Sequence, residues 1–244
     1  RSERIEHDGQ ALSALSGAMT ANPALLGHLH ALALEWQLIQ NMQLRLAIDP
    51  VLSPLLQGQL ASADPEAAAL AMNFLAAQAR FCQAQRRMQL PLAELPGDLL
   101  HGALVAMRTL AGVEADGSAA AAENAIRQEF NEARSRLGLA ARLVNGMGGN
   151  AMSALSISHA GTSLFLTALS LGSGQDRDLA ALSTNDSQLA RLALALRASG
   201  LKQAVVEEVF LALHPDVALP DGFDQIGPDQ AAAMLAAAVP HAGG

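Results

Sequence analysis

The chain has 244 residues, 51% apolar but only 3% aromatic, with one Trp and no Tyr, so its core must be built mainly from Ala and Leu, which favours close-packed helices over sheets in one large or two small domains. A net charge of −8 excludes nucleic acid as a main partner, because phosphate binding needs a basic surface. Cys82 is the only cysteine and Lys202 the only lysine, which excludes an intramolecular disulfide and a cysteine-based zinc site and leaves lysine chemistry a single candidate.

Residues 1–8 are polar and are expected to fray. A short helix is predicted from about Gly9 to Thr20, with Leu12, Leu15 and Met19 on one side. Asn22-Pro23 starts a long helix in which Leu25, Leu29, Leu32, Trp36 and Ile39 recur at spacings of four and three, with Leu34, Leu38 and Met42 on a second apolar side. It is expected to end near Ile48-Asp49-Pro50, and a shorter helix to cover Pro50 to Leu60.

The stretch from Asp64 to His101 is the clearest in the chain. Asp64 suits an N-cap and Pro65 the first helical position, where its missing N–H would be unpaired in any case. Leu70, Phe74, Ala77, Phe81, Ala84 and Met88 then form one apolar stripe, widened by Ala68, Ala71, Leu75, Ala79 and Cys82. Glu66, Asn73, Arg80 and Arg87 form a narrow polar stripe opposite. Such a helix is packed on at least two sides, and a central place in the fold is expected for it. Pro91 and Pro96 end it, since proline cannot donate to the helix ladder.

A helix from about Gly97 to Leu110 and a connector at Ala115–Ser118 follow. Ile126, Phe130, Ala133, Leu137, Ala140 and Val144 predict one long helix, with Glu123–Arg127 and Glu132–Arg136 as i,i+4 surface ion pairs. Asn145-Gly146-Met147-Gly148-Gly149-Asn150 is the strongest break. It divides the chain into an N-terminal helical subdomain (1–145) and a C-terminal helical-repeat-like subdomain (151–244), with 145–150 as a hinge. The C-terminal helices are predicted over Ala151–Leu171 (bent at Gly161), Gln175–Leu182, Ser187–Ser199 (capped by Gly200), Leu201–Leu213 and Pro228–Val239. No strand is predicted. The fold class is all-α, a multi-helix array with a bundle-like N-terminal part and a solenoid-like, HEAT-like C-terminal part.

The runs Ala67–His101, containing Gln-Ala-Gln-Arg-Arg-Met and Leu-Ala-Glu-Leu-Pro, Thr162–Leu169, and the Leu194–His214 helix pair resemble domain of unknown function 2336. The resemblance covers most of the chain. It implies an all-helical bacterial protein of solenoid-like character and carries over no catalytic residue.

The motifs associated with chemistry fall short one by one. His7-Asp8 lacks the earlier histidine that a helical metal phosphohydrolase requires. His28 and His30 lie two residues apart on a helix and point to different faces, so they do not share a metal; one packed and one at the surface is expected. His101 and His159 lack the acidic neighbour of a phosphoacceptor, and Ser158-His159 lacks a nucleophile-elbow context. Ser199-Gly200-Leu201-Lys202 spells S-x-x-K, but the one lysine leaves no K-T-G. Gly146–Gly149 lacks the lysine of a phosphate loop. Arg86 and Arg87 complement a helix C-terminus, and Cys82 reads as a small core residue.

The loop from His214 through Asp216, Asp221, Asp224 and Asp229 is the one acidic cluster, and its spacing fits no calcium-loop signature. No catalytic, cofactor-binding or metal residue is therefore assigned. The expected function is a non-catalytic protein–protein interaction or scaffold module. The alternatives are a metal-dependent hydrolase using the His214–Asp229 loop, or a sensor holding a small apolar ligand between the subdomains. A protein partner is expected, and homo-oligomerisation is left open. Neither a long charge-free apolar run nor a signal-peptide pattern at Arg1–Arg4 is present, so no membrane insertion and a cytoplasmic location are expected. The sequence does not begin with Met, which leaves a fragment or a processed form open.

Overall fold

A computed structural model describes residues 13–111 and 116–238, and the part of the first predicted helix before residue 13 lies outside them. Helix α1 covers 13–20, followed by α2 (Pro23–Leu46), α3 (Pro54–Leu60), α4 (Pro65–Arg86), α5 (Gly97–Ala111) and α6 (Asp116–Glu129). Then come α7 (Arg136–Gly146), α8 (Ile157–Ser173), α9 (Arg177–Ser183), α10 (Leu189–Ala198), α11 (Gln203–Leu213) and α12 (Pro228–Ala237), with short 3-10 turns between several of them. Among the described residues there is no strand.

Three of the starts share one device. Asn22, Ser53 and Asp64 each accept a backbone N–H of the first turn with the side-chain oxygen, and each is followed by proline at the first helical position. The helix expected from Pro50 begins at Pro54 instead. Asp49 Oδ1 takes the N–H groups of Val51 and Leu52 at 2.8 and 2.7 Å and holds that segment as a turn. At the other end, Gly174 (φ 69) and Gly200 (φ 88) are the left-handed residues that follow α8 and α10.

Two expectations are corrected. The stripe from Ile126 to Val144 is not one helix: α6 ends at Glu129, and α7 starts afresh at Arg136. Asn131 is extended, and Ser135 caps α7 by accepting Gly138 N at 3.1 Å. The chain folds back so tightly that a Cβ on Gly138 would overlap the Glu132 carbonyl oxygen. The predicted helix from Ala151 is likewise split, into a 3-10 stretch Gly148–Leu155 and α8. The bend at Gly161 is where expected: its φ of 72° and ψ of 165° are open essentially to glycine alone.

Helix α4 is packed on two sides, by α3 and α7, as its two-faced pattern requires. The most enclosed helix is α8, in which Ile157 and every residue from Ala160 to Leu169 is buried. Around it one apolar cluster draws on α2, α3, α4 and α7 through α12. Leu143 and Val144 before the Asn145–Asn150 segment and Ala154 and Leu155 after it belong to that same cluster. A second cluster seats Leu99, Leu100, Ala103 and Leu104 of α5 on Leu25 of α2. Among the described residues no single helix is long and apolar enough to cross a membrane. The 3-10 stretch and α8, bent by 109°, together reach that composition, and most of α8 is core.

Gly138→Ala and Gly161→Ala are expected each to lower the unfolding free energy by about 1–3 kcal/mol, through overlap and backbone strain respectively. Gly58→Ala, in an open stretch of α3, should instead raise it by roughly 0.5–1 kcal/mol. Urea unfolding of the three variants measures all three effects.

Candidate functional site

The first turn of α7 points a charge into the core. Arg136 is 2% exposed and Glu35, in mid-α2, is 0% exposed. Arg136 donates to both carboxylate oxygens of Glu35, at 2.7 and 3.1 Å, and its Nε donates to Glu94 Oε2 at 2.8 Å. From the far side Arg177, the first residue of α9, grips the same two Glu35 oxygens at 2.8 and 3.0 Å. Glu35 thus accepts two guanidinium forks at once. Gln78 of α4 and Ser163 of α8 share the remaining Nη1 N–H of Arg136 at 3.3 and 2.9 Å, and the guanidinium carbon lies 3.7 Å above the centre of the Phe81 ring. Two carboxylates face two guanidiniums, so the cluster is neutral as a whole.

Each charge is held by the others. Burial acts to raise the pKa of Glu35, but Arg136 and Arg177 overcome it and hold the carboxyl far below the usual range. Burial acts to lower that of Arg136, and Glu35 and Glu94 overcome it. Cys82, on the same side of α4 as Phe81, has its thiol pushed up to about 11, chiefly by burial, and is an inert core residue as expected.

His28 extends the cluster. Its Nδ1 faces Asp178 Oδ2 at 2.9 Å and its Nε2 faces the Glu94 carbonyl oxygen at 2.9 Å. Both partners accept only, so both ring nitrogens donate and His28 is an imidazolium. Burial lowers its pKa and Arg177 opposes the charge; the hydrogen bond and charge of Asp178, with the Glu94 carbonyl, outweigh them and hold it above the ordinary value. His30 is exposed, which gives the pair the one-packed, one-surface arrangement expected.

A surface cleft of about 510 Å3 lies between α2 and the segments after α9 and α11. Gln37, Asn41 and Arg45, spaced by four on α2, line one wall, and Asn185, Asp186 and Asp216 line the other. Arg45 donates to the Leu213 carbonyl at 3.2 Å, and His214 Nδ1 meets Asp186 Oδ1 at 3.0 Å. His214 Nε2 is buried without a partner among the described residues.

The residues singled out from the sequence do not converge on one another. His214 pairs with Asp186, not with Asp216, Asp221, Asp224 or Asp229. Among the described residues no three His, Cys, Asp or Glu side chains are grouped to hold a metal. Asp224 gives its carbonyl to Arg197, which also takes the Ile226 carbonyl and so straps this loop to α10. Ser199 Oγ donates to the Ala195 carbonyl at 2.8 Å, and Lys202 is exposed. His101 accepts from Arg127 at 2.7 Å, and His159 is exposed, as are Arg86 and Arg87. The Asn145–Asn150 segment borders a cavity of about 240 Å3 with Met152, Leu171 and Ser199. His7-Asp8 lies outside the described residues.

Glu123–Arg127 forms as expected, at 2.8 Å. The Glu132–Arg136 surface pair does not, because the helix break turns Arg136 inward to Glu35 and Glu94. Glu35, Glu94 and Arg177 carry no role in the sequence reading. A signal existed for the first: Leu25, His28, Leu32, Glu35, Ile39 and Met42 alternate by three and four, which places His28 and Glu35 on an apolar stripe.

Arg136→Met strands Glu35 and Glu94 without their shared partner and is expected to cost about 3–5 kcal/mol in urea unfolding. For His28, a folded pKa above the unfolded one gives a contribution complete below about pH 6.5 and lost as pH rises through the folded value. The stability advantage of wild type over His28→Gln should therefore shrink as pH rises above about 6.5. Comparison of the chain with protein-family models, with curated proteins and with solved structures gives no match.

Proposed function

We propose that the protein is a non-catalytic helical interaction module that recognises another protein through the cleft beside α2. The observation that carries this reading is the cleft's lining. Gln37, Asn41 and Arg45 stand exposed in one row on a buried helix, facing Asn185, Asp186 and Asp216 across about 510 Å3. Amides with charges of both signs suit the alternating donors and acceptors of a polypeptide. The charged cluster beneath fixes α2 by its inner face, so the row is presented on a backbone that needs no ordering on binding.

The finer layout belongs to this proposal: a bundle-like arrangement up to residue 145 and a solenoid-like one from 151, sharing one core. So does the resemblance to domain of unknown function 2336, which rests on the sequence runs Ala67–His101, Thr162–Leu169 and Leu194–His214. The net charge of −8 favours a partner with a basic contact surface.

The test compares wild type with Asn41→Trp, which fills the cleft from an exposed position, as immobilised baits in a lysate of the host. A stoichiometric protein retained at high salt by wild type and lost by the variant is expected. Identical retention by both baits would remove the cleft reading, and a second copy of this chain as the retained protein would make the cleft a self-association surface.

A further inference from the structure

A second concavity, of about 260 Å3, opens between α7, α8 and the corner Glu94–Pro96. Leu137, Ala141 and Leu171 are among its apolar walls. Most of its polar lining is committed elsewhere. Arg177 places both terminal nitrogens on Glu35, and its Nε donates to Thr167 Oγ1 at 3.2 Å. Thr167 donates to the Ser163 carbonyl at 2.9 Å, Ser170 to the Gln175 carbonyl at 2.7 Å, and Ser135 accepts from Gly138 N.

The carboxylates are different. Glu94 is 5% exposed and lines the cavity. Its Oε2 holds Arg136, while Oε1 has no hydrogen-bond partner among the described residues. Glu132 lines the exposed mouth of the cavity, beside Gly97, and its carboxylate is likewise without one. Glu35 and Glu94 already balance Arg136 and Arg177, so Glu132 adds one uncompensated negative charge. A neutral apolar guest would displace water from Glu94 Oε1 and return nothing, and an anion would face two carboxylates. A guest with a cationic nitrogen and an apolar body satisfies both parts of the wall.

We propose that this cavity binds a small aliphatic amine, with its protonated nitrogen donating to Glu94 Oε1 and facing Glu132, and its chain lying against Leu137, Ala141 and Leu171. The site is separate from the cleft beside α2 and does not rest on the reading of that cleft. Its size fits a short chain, of the length of n-hexylamine, and binding of such a ligand is expected on the order of 0.1 mM.

Calorimetric titration of the full chain at neutral pH with n-hexylamine, n-hexanol and hexanoate tests it. One equivalent of n-hexylamine should bind at least about tenfold more tightly than n-hexanol, with hexanoate unbound. Glu132→Gln, an exposed change that leaves the buried cluster intact, should weaken n-hexylamine about tenfold and leave n-hexanol unaffected. Ala141→Phe should abolish binding of n-hexylamine, with Ala141→Leu as the milder filling if the larger side chain prevents folding. The proposal is overturned by n-hexanol binding as tightly as n-hexylamine, by an unchanged affinity in Glu132→Gln, by binding that survives a folded cavity-filling variant, or by no saturable binding to wild type.

Discussion

The carboxylate of Glu35 is the fixed point of this fold. It sits with no exposure to water on the buried stripe of α2, and two arginines from helices far apart in the sequence close on it. A lone carboxylate there would be intolerable in a medium of low dielectric. The arrangement of α7 and α9 follows from that: each begins with an arginine, against the preference of a helix N-terminus for negative charge, because its first residue must reach Glu35. Desolvation offsets much of the attraction in such clusters, so their gain over a well-packed apolar core is small in energy. What the cluster supplies here is uniqueness. The cluster ties α2, α4, α7, α8 and α9 together through directional hydrogen bonds, which apolar contacts alone do not supply.

The helical class and most of the helix starts were legible in the sequence, because they rest on local chemistry. Asn22-Pro23 and Asp64-Pro65 name their own caps, and Gly174 and Gly200 their own stops. The break before α7 was not legible. The stripe Ile126–Val144 is continuous as a pattern, and what interrupts it is the demand of a buried guanidinium for partners more than forty residues away. The site was harder still. Arg136 looks like half of a surface pair with Glu132, since periodicity counts charged residues as outward-facing. Glu35 and His28 did break the apolar stripe of α2, and a charge on such a stripe is the mark of a buried pair. Arg177, beside a glycine-rich turn, had no such context to mark it.

One helix serves both faces of the molecule. The inner side of α2 carries His28 and Glu35, and its outer side presents Gln37, Asn41 and Arg45 to the cleft. The imidazolium of His28 ties this helix to α9 through Asp178 and to the corner before α5 through the Glu94 carbonyl. The same Glu94 lines the cavity beside α7. The cleft and the cavity thus share a rigid partition made of charged groups, whose geometry is discrete and does not deform gradually.

The span of the cluster along the chain also sets an order of events at the ribosome. Glu35 and Arg177 are 142 positions apart, which at cellular rates of synthesis is roughly 7–28 s. For the first 101 of those positions Glu35 has no arginine partner, and for the last 41 it has Arg136 and nothing to fill the second fork. The pairing of Glu35 is therefore complete only once α9, the short helix that brings the last charge, has been made.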